Sequence, residues 1–547
     1  MSDLPNNLHL ALWVSTALIF VVLLISRISS RQNGSKHLPY PPGPQGLPIL
    51  GNILQMPQKD QWHTFAEWAR KYGNIIHLTL LDRHVIVLTS YEDADRLLNA
   101  RGATYSSRPR LTLFRQHAGW DKLLGILPYG DSFHTQRRML NGFFNPSASR
   151  KYHPLLEQHS RLLALQLSEN SSKLHSLTRL HVSAVILRIT YGHKAESEDD
   201  EWIHSSEAAM KSFDALGVPG SHPIDIFPAL GRLPYWIWGT RFIQALEGLR
   251  KGALDLSIKP FATVKDQSKS GNAEPSIAAR LIEENASNSG TCYDERDMSG
   301  ACGSIYAAGV DANDLLIHSF ILAMAVYPEV QRKAQAELDH YLRNERLLNV
   351  EDRNSLPYLT AVAKEVMRYR PIAPLGEFDV RETWSVCGAY YDFARLGFPH
   401  ATEVDDEYEK MLIPAGSMII TDMWTMCHDP HDFPDPFLFN PDRFLYYEGG
   451  APSLRKDVRE PEDIVFGFGR RICIGRHIAM AQLWIIMATF LATFEIGLPH
   501  DEAGKEIRPT KEHFDQIERH PKPFPFQFVP RSKSVIHALR DAVSSAE

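Results

Sequence analysis

The segment Phe466-Gly-Phe-Gly-Arg-Arg-Ile-Cys-Ile-Gly475 gathers the chain's most chemically capable groups. Cys473 lies between Gly469 and Gly475, just ahead of an apolar run that reads as a long helix over 475–496. A helix N-terminus offers free N–H groups and positive potential, which lower a thiol's pKa and favour a thiolate able to bind a metal. Glycine tolerates backbone conformations that other residues avoid and lets a flat ligand come close. Phe466 can pack against a flat macrocycle, and Arg471 can pair with a carboxylate. For Cys-x-Gly taken alone, a buried structural cysteine in a glycine-rich turn is the stronger reading.

Two further groupings stand upstream. Glu365-Val-Met-Arg368 puts an acid and a base three residues apart on one helical face, which in isolation is a solvated surface pair. Ala307-Ala-Gly-Val-Asp-Ala-Asn313 combines small side chains, which leave room in a helix for a small ligand, with Asp311, which can feed protons to it. Helix packing alone would also explain the small residues.

The elements that must position these groups are mostly helical. Helical patterns run over 61–72, 91–100, 147–170, 175–191, 243–267 (kinked at Pro260), 303–326, 328–342 and 359–370. Strand patterns at 75–80 and 85–89 form a hairpin around Asp82 and Arg83. Residues 433–444 read as proline-punctuated coil. The fold class is therefore mainly α, of α+β type, with one large helical domain and small β-sheets.

Composition narrows the function. The chain has 547 residues, 44% of them hydrophobic, and a net charge of -7, which gives no global case for nucleic acid. Its five cysteines (Cys292, Cys302, Cys387, Cys427, Cys473) are odd in number, scattered and without a C-x-x-C pair, so a disulfide framework or structural zinc is not expected. Residues 4–26 contain no Asp, Glu, Lys or Arg, and Arg27, Arg31 and Lys36 follow. That pattern reads as a retained membrane anchor over 1–30 with the downstream side cytosolic, rather than a cleaved leader. Residues 31–52, including Leu38-Pro-Tyr-Pro-Pro-Gly-Pro44, form a stiff extended hinge, and 53–547 the catalytic domain.

The pattern F-x-x-G-x-R-x-C-x-G, met at Phe466, Gly469, Arg471, Cys473 and Gly475, resembles the haem-binding loop of the cytochrome P450 family. The resemblance covers roughly 39–532 and implies the family's fold, haem b (iron protoporphyrin IX), Cys473 as axial thiolate to the iron, and Arg471 on a haem propionate. Glu365 and Arg368 then resemble the family's helix K motif. Pro441-Asp-Arg-Phe444 resembles its partner, implying a buried structural network of Glu365, Arg368 and Arg443. Phe133-His-Thr-Gln-Arg137 stands where the family often has W-x-x-x-R. Arg137 fits a propionate, while Phe133 keeps the apolar part of the tryptophan and loses its N–H. The acid of the oxygen-binding helix is normally followed by threonine. Here Asp311 is followed by Ala312 and Asn313, which puts the coupling of oxygen use to product in doubt. Asn313, water or a substrate hydroxyl are the available compensations. Segments 105–113, 213–224 and 513–525 resemble borders of the substrate pocket.

One stretch departs from the pattern. After Pro371-Ile-Ala-Pro-Leu-Gly376 the family sequence continues at Phe398-Pro-His400, with His400 near a propionate by resemblance. Residues 377–397 fit no family element, Leu-Gly repeats at both ends, and removal restores the pattern. A retained intron translated in frame is expected, with a natural surface insertion as the alternative.

The resemblance implies a monooxygenase acting on a lipophilic substrate, with lipid-like compounds, secondary metabolites and xenobiotics all open. Electrons would come from a separate NADPH-cytochrome P450 reductase, with cytochrome b5 as a further donor. Arg137, Arg138, Arg470 and Arg476 are candidate docking residues. An endoplasmic reticulum membrane location follows, anchored once with the domain cytosolic. Ala312 keeps two other readings open: a non-oxygenating isomerase or dehydratase, and an inactive membrane-anchored haem-binding protein.

Overall fold

A computed structural model describes residues 38–57, 60–81, 83–215, 222–287, 292–343, 346–375, 384–386, 389–391, 398–499, 505–507 and 526–545. The expected anchor over 1–30, Cys387 and the segment 513–525 lie outside the described residues.

A helix that is apolar all round must be buried on every side, and the fold is built around such helices. In chain order the main ones are α1 (Gln61–Tyr72), α2 (Asp131–Phe144), α3 (His153–Glu169), α4 (Leu174–Tyr191), α5 (Glu201–Ala215), α6 (Thr240–Ala253), α7 (Lys259–Lys269), α8 (Ile277–Ala286), α9 (Glu295–Val326), α10 (Pro328–Leu342), α11 (Pro357–Tyr369), α12 (Arg476–Thr493) and α13 (Lys533–Ser544). The 32-residue α9 is long and apolar enough to cross a membrane, but 78% of its apolar window is buried inside the fold, so it is the core helix. It packs on α4, α2, α11 and α12.

Several helix limits differ from the sequence expectation, each for a local reason. The α9 helix begins at Glu295 rather than 303, because the Asp294 side chain accepts from the Arg296 N–H and caps it. The run expected over 243–267 is α6, a π-turn at Leu254–Ile258, then α7 with Pro260 in its first turn, where a missing N–H costs nothing. The run over 147–170 likewise divides into Pro146–Ser149, a 3-10 turn and α3, which has Pro154 in its first turn.

A four-stranded sheet completes the architecture. β1 (Ile75–Leu80) pairs antiparallel with β2 (Arg83–Leu88), β2 parallel with β4 (Met418–Thr421), and β4 antiparallel with the short β3 (His400–Ala401), giving the order β1-β2-β4-β3. The proline segment is not a free hinge where it is described. The Pro42 carbonyl accepts from His77 N–H at 2.9 Å and the Pro39 carbonyl from Leu412 N–H at 2.8 Å, docking it on the sheet region.

Candidate active site

The segment ahead of α12 folds back on itself. Cys473 N–H donates to the Phe466 carbonyl at 2.8 Å, with a 3-10 turn at Gly469–Arg471 between them. Gly469 has φ +60, and a Cβ there would meet the Leu98 carbonyl oxygen at 1.9 Å. This glycine therefore serves the approach of protein backbone, not of a flat ligand as the sequence suggested. Gly475 is the N-cap of α12, and a Cβ on it would meet open space.

Cys473 is exposed, yet burial is the largest influence on its thiol. Burial raises the thiol pKa. The N–H groups of Gly475 and Arg476 and the charges of Arg137 and Arg476 oppose this without overcoming it. The expectation of a lowered pKa from the helix N-terminus is thus corrected: desolvation outweighs the two N–H groups. A metal cation bound to this sulfur would displace the thiol proton.

Around this sulfur the fold collects positive charge. Arg471 donates to the carbonyls of Ser106 (2.8 Å), Leu124 (3.2 Å) and Leu127 (2.7 Å). Its guanidinium lies 3.9 Å from the Phe133 ring centroid, so Phe133 serves as a cation–π floor. Arg137, one turn along α2, donates to the Ile472 carbonyl at 2.8 Å. Arg108 donates to the carbonyls of Gly125 and Pro399 at 2.8 and 3.0 Å. On β3, His400 Nδ1 lies 2.9 Å from the Tyr105 carbonyl oxygen. Among the described residues, Arg137 and Arg471 make no ion pair, and burial lowers both pKa values, that of Arg471 further because Arg108 and Arg137 are positive. A guanidinium does not lose its proton in a protein, so the shift measures a demand for an anion. Burial holds the His400 imidazole neutral, at about 3, with Arg108 adding to the effect.

Arg108 carries no sequence signal of this role. It lies hundreds of positions from Arg471, and no local spacing joins them. The segment 105–113, expected at the substrate pocket, contributes here: Tyr105 and Ser106 supply carbonyls to His400 and Arg471, and the Tyr105 hydroxyl is bound to Asp406 at 2.8 Å.

The predicted oxygen-side residues lie together on α9 but do different things. Ala308 is exposed in the middle of this otherwise buried helix, and Ala312, one turn on, is half-buried. Gly309 is small for packing, because a Cβ would meet Ile186 Cδ1 of α4 at 2.4 Å. Asp311 is buried and paired with Arg179 of α4 at 2.9 Å, and Arg179 also holds Glu207 at 2.8 Å. Nothing in the sequence pointed to Arg179. Asn313 Nδ2 donates to the Gly309 carbonyl at 2.8 Å, while its buried Oδ1 has no hydrogen-bond partner.

The Glu365 network closes fully. Arg368 grips Glu365 through two bonds of 2.7 and 2.8 Å, both side chains wholly buried. Arg443 adds a contact at 3.2 Å and Asn440 N–H a bond at 2.8 Å. The remaining Arg368 donor reaches the carbonyls of Cys427 and Pro436 at 2.9 and 2.8 Å.

Cys473 is thus exposed, two backbone N–H groups act on its sulfur, and Arg137 and Arg471 nearby make no ion pair among the described residues, an arrangement able to accept an anionic group. The sequence model of the family described as "Cytochrome P450" matches residues 41–378 and 390–528. The chain is 34% identical over 535 residues to "Cytochrome P450 monooxygenase COX2" of Coprinopsis cinerea, covering 97% of this chain and 96% of that one. It is 34% identical over 532 residues to "Cytochrome P450 monooxygenase ple1" of Rhodocybe pseudopiperita (97% and 95% covered). It is 36% identical over 503 residues to "Cytochrome P450 monooxygenase 105" of Postia placenta (92% and 91% covered). The chain belongs to the cytochrome P450 family and is a haem-dependent monooxygenase.

Proposed function

We propose that this monooxygenase inserts one atom of dioxygen into a lipophilic organic substrate, with Cys473 as the iron ligand and electrons delivered by a separate NADPH-cytochrome P450 reductase. The carrying observation is an exposed Cys473 beside Arg137 and Arg471, whose hydrogen-bond partners among the described residues are carbonyls only. Haem bound there supplies the redox and oxygen chemistry, with thiolate ligation favouring O–O cleavage. Arg137, Arg471 and His400 orient its carboxylates. The Gly475 and Arg476 N–H groups temper the charge on sulfur. Ala308 and Ala312 leave space on α9, and the unpartnered Asn313 Oδ1 is an acceptor for a water molecule in place of the missing threonine hydroxyl. Asp311 delivers a proton only after releasing Arg179. The Cys473→Ser variant tests the reading: the purified protein should lose the reduced carbon monoxide spectrum typical of thiolate ligation, and an unchanged spectrum would overturn it.

Exposed Arg138 and Arg470 and half-buried Arg476 suit a basic docking face for the reductase, with cytochrome b5 as a further donor. Arg137 turns inward and is better assigned to the cofactor. Charge reversal at Arg138 and Arg470 should lower reductase-supported turnover at low salt and spare substrate binding.

For location, we propose the endoplasmic reticulum membrane, with residues 1–30 as anchor. Exposed apolar side chains support it: Leu47, Leu50 and Leu54 on one segment, Phe227, Trp236 and Ile237 on another. Leu81 N–H reaches the Leu50 carbonyl and Arg83 reaches the Asp225 carbonyl, so the two segments flank one hairpin. Fractionation of the full chain against a form lacking residues 1–30 tests the anchor.

Residues 377–397 are, in this proposal, a retained intron. The family match stops at 378 and resumes at 390, and Trp384–Val386 pairs only with Ala389–Tyr391 among the described strands. Mature transcripts that all carry the stretch would refute it.

Ala312 and the Asp311–Arg179 pair favour one second reading, a haem-thiolate isomerase or dehydratase. Product formation without NADPH and reductase would select it.

A further inference from the structure

The helix α9 also carries a cluster that the oxygen chemistry does not use. Asp314 and His318 stand one turn apart, and His175 at the start of α4 faces them. We propose that His175, Asp314 and His318 form a binding site for a divalent transition-metal ion such as zinc, distinct from the haem iron.

The first support is Asp314 itself. Its side chain is 1% exposed, and neither carboxylate oxygen has a hydrogen-bond partner. Buried carboxylates without partners are costly, and native structures neutralise them by a proton, a cation or a metal. Burial raises the pKa of this carboxyl.

Geometry is the second support. His175 Nδ1 lies 3.7 Å from Asp314 Oδ2 and His318 Nδ1 lies 3.4 Å from Asp314 Oδ1. Both exceed hydrogen-bond length. They do match the edges of a tetrahedron built on metal bonds of about 2.0–2.2 Å, which are roughly 3.4 Å. One ligand atom from each of the three residues lies within 4.8 Å of the others. The His175 side chain is 54% exposed, and its position at the surface gives an ion a way in. Water completes a fourth position.

The surroundings agree in charge. Among the described residues the carboxylates near the cluster are Asp311, Asp314 and Glu207, and the guanidinium is Arg179, bonded to Asp311 and Glu207. Once Asp314 gives up its proton to a metal, three carboxylates against one guanidinium leave two negative charges, which a divalent cation cancels. His318 Nδ1 now lies 2.8 Å from the Asp314 main-chain carbonyl oxygen, so ligation through this nitrogen requires the tautomer protonated on Nε2.

The test uses the full-length, haem-loaded protein dialysed against zinc ions, with bound zinc quantified by elemental analysis. Wild type should hold one zinc per chain more than His175→Ala, a surface substitution whose fold is verified by its reduced carbon monoxide spectrum. Asp314→Asn should weaken zinc binding by at least about tenfold, as loss of a ligand does. Zinc should raise the melting temperature of wild type but not of His175→Ala. Equal zinc content in wild type and His175→Ala, or no zinc on wild type at micromolar free ion, overturns the site and leaves a histidine-flanked acid of structural role only.

Discussion

Two buried charge clusters in this molecule use the same residue types to opposite ends. Around Glu365 every donor is answered: Arg368 and Arg443 meet one carboxylate, and carbonyls take what remains. Around Cys473, the hydrogen-bond partners of Arg137 and Arg471 among the described residues are carbonyls only. The first cluster is complete within the chain and therefore structural. The second is complete only with an anion from outside, which in the proposed assignment is a carboxylate of the cofactor. Saturation of a buried charge, rather than burial, separates scaffold from site.

The largest effect is expected where saturation is broken. Glu365→Gln strands two guanidiniums in the core, at a cost of about 3–5 kcal/mol. Chemical denaturation should show the loss equally in haem-loaded and haem-stripped protein. A loss confined to the loaded form would move this cluster into the site.

Arg471→Gln should behave the other way. It removes a cation that has no counter-charge until the cofactor arrives, so the stripped protein should change far less than in Glu365→Gln. Haem transfer to an acceptor protein should speed up by at least about tenfold, which corresponds to about 1.4 kcal/mol. Equal destabilisation with and without haem would mean that the three carbonyl bonds of Arg471, not its charge, are what matters.

Much of this contrast is legible in the sequence because it is encoded locally. Cys473 with its glycines, the Glu365–Arg368 spacing and Arg443 each sit in short patterns, and Arg137 follows Phe133 by one helical turn. The misses are long-range. Arg108 joins Arg471 through the fold and Arg179 reaches Asp311 across two helices, and no spacing reports either. Gly469 was legible as a constrained glycine, but its reason, the Leu98 carbonyl, comes from a π-helical turn at Asp95–Ala100 that the helix pattern over 91–100 does not distinguish. Helix limits slipped where a proline or a cap changed the hydrogen-bond ladder without changing the apolar period.

Two histidines extend the comparison to acid. His400 stands among the site cations and His428 beside Arg368 and Arg443; burial first, then the neighbouring arginines, hold each at about 3. The folded value lies below the unfolded 6.5, so the unfolded chain binds more protons between them. The stability each neutral ring contributes is fully present above pH 6.5 and is lost as pH falls toward 3. A bound anion eases protonation only at His400. Haem should therefore reduce the acid sensitivity attributable to His400, read as the difference between wild type and His400→Asn, and leave that of His428→Asn unchanged. The same haem dependence for both would erase the distinction between the clusters.

The smallest effect concerns what lies under Arg471. With Phe133 3.9 Å from the guanidinium, part of the cation's stabilisation comes from the ring face, worth about 0.5–2 kcal/mol depending on desolvation. Phe133→Leu keeps apolar volume and loses the face, so haem loss should quicken, though by less than in Arg471→Gln. Phe133→Trp supplies the ring type that binds cations best and restores an N–H donor at a place where an anion is expected. Haem retention should then equal or exceed that of wild type. If leucine and phenylalanine retain haem alike, the ring acts as filler, and the charge of Arg471 rests on the cofactor alone.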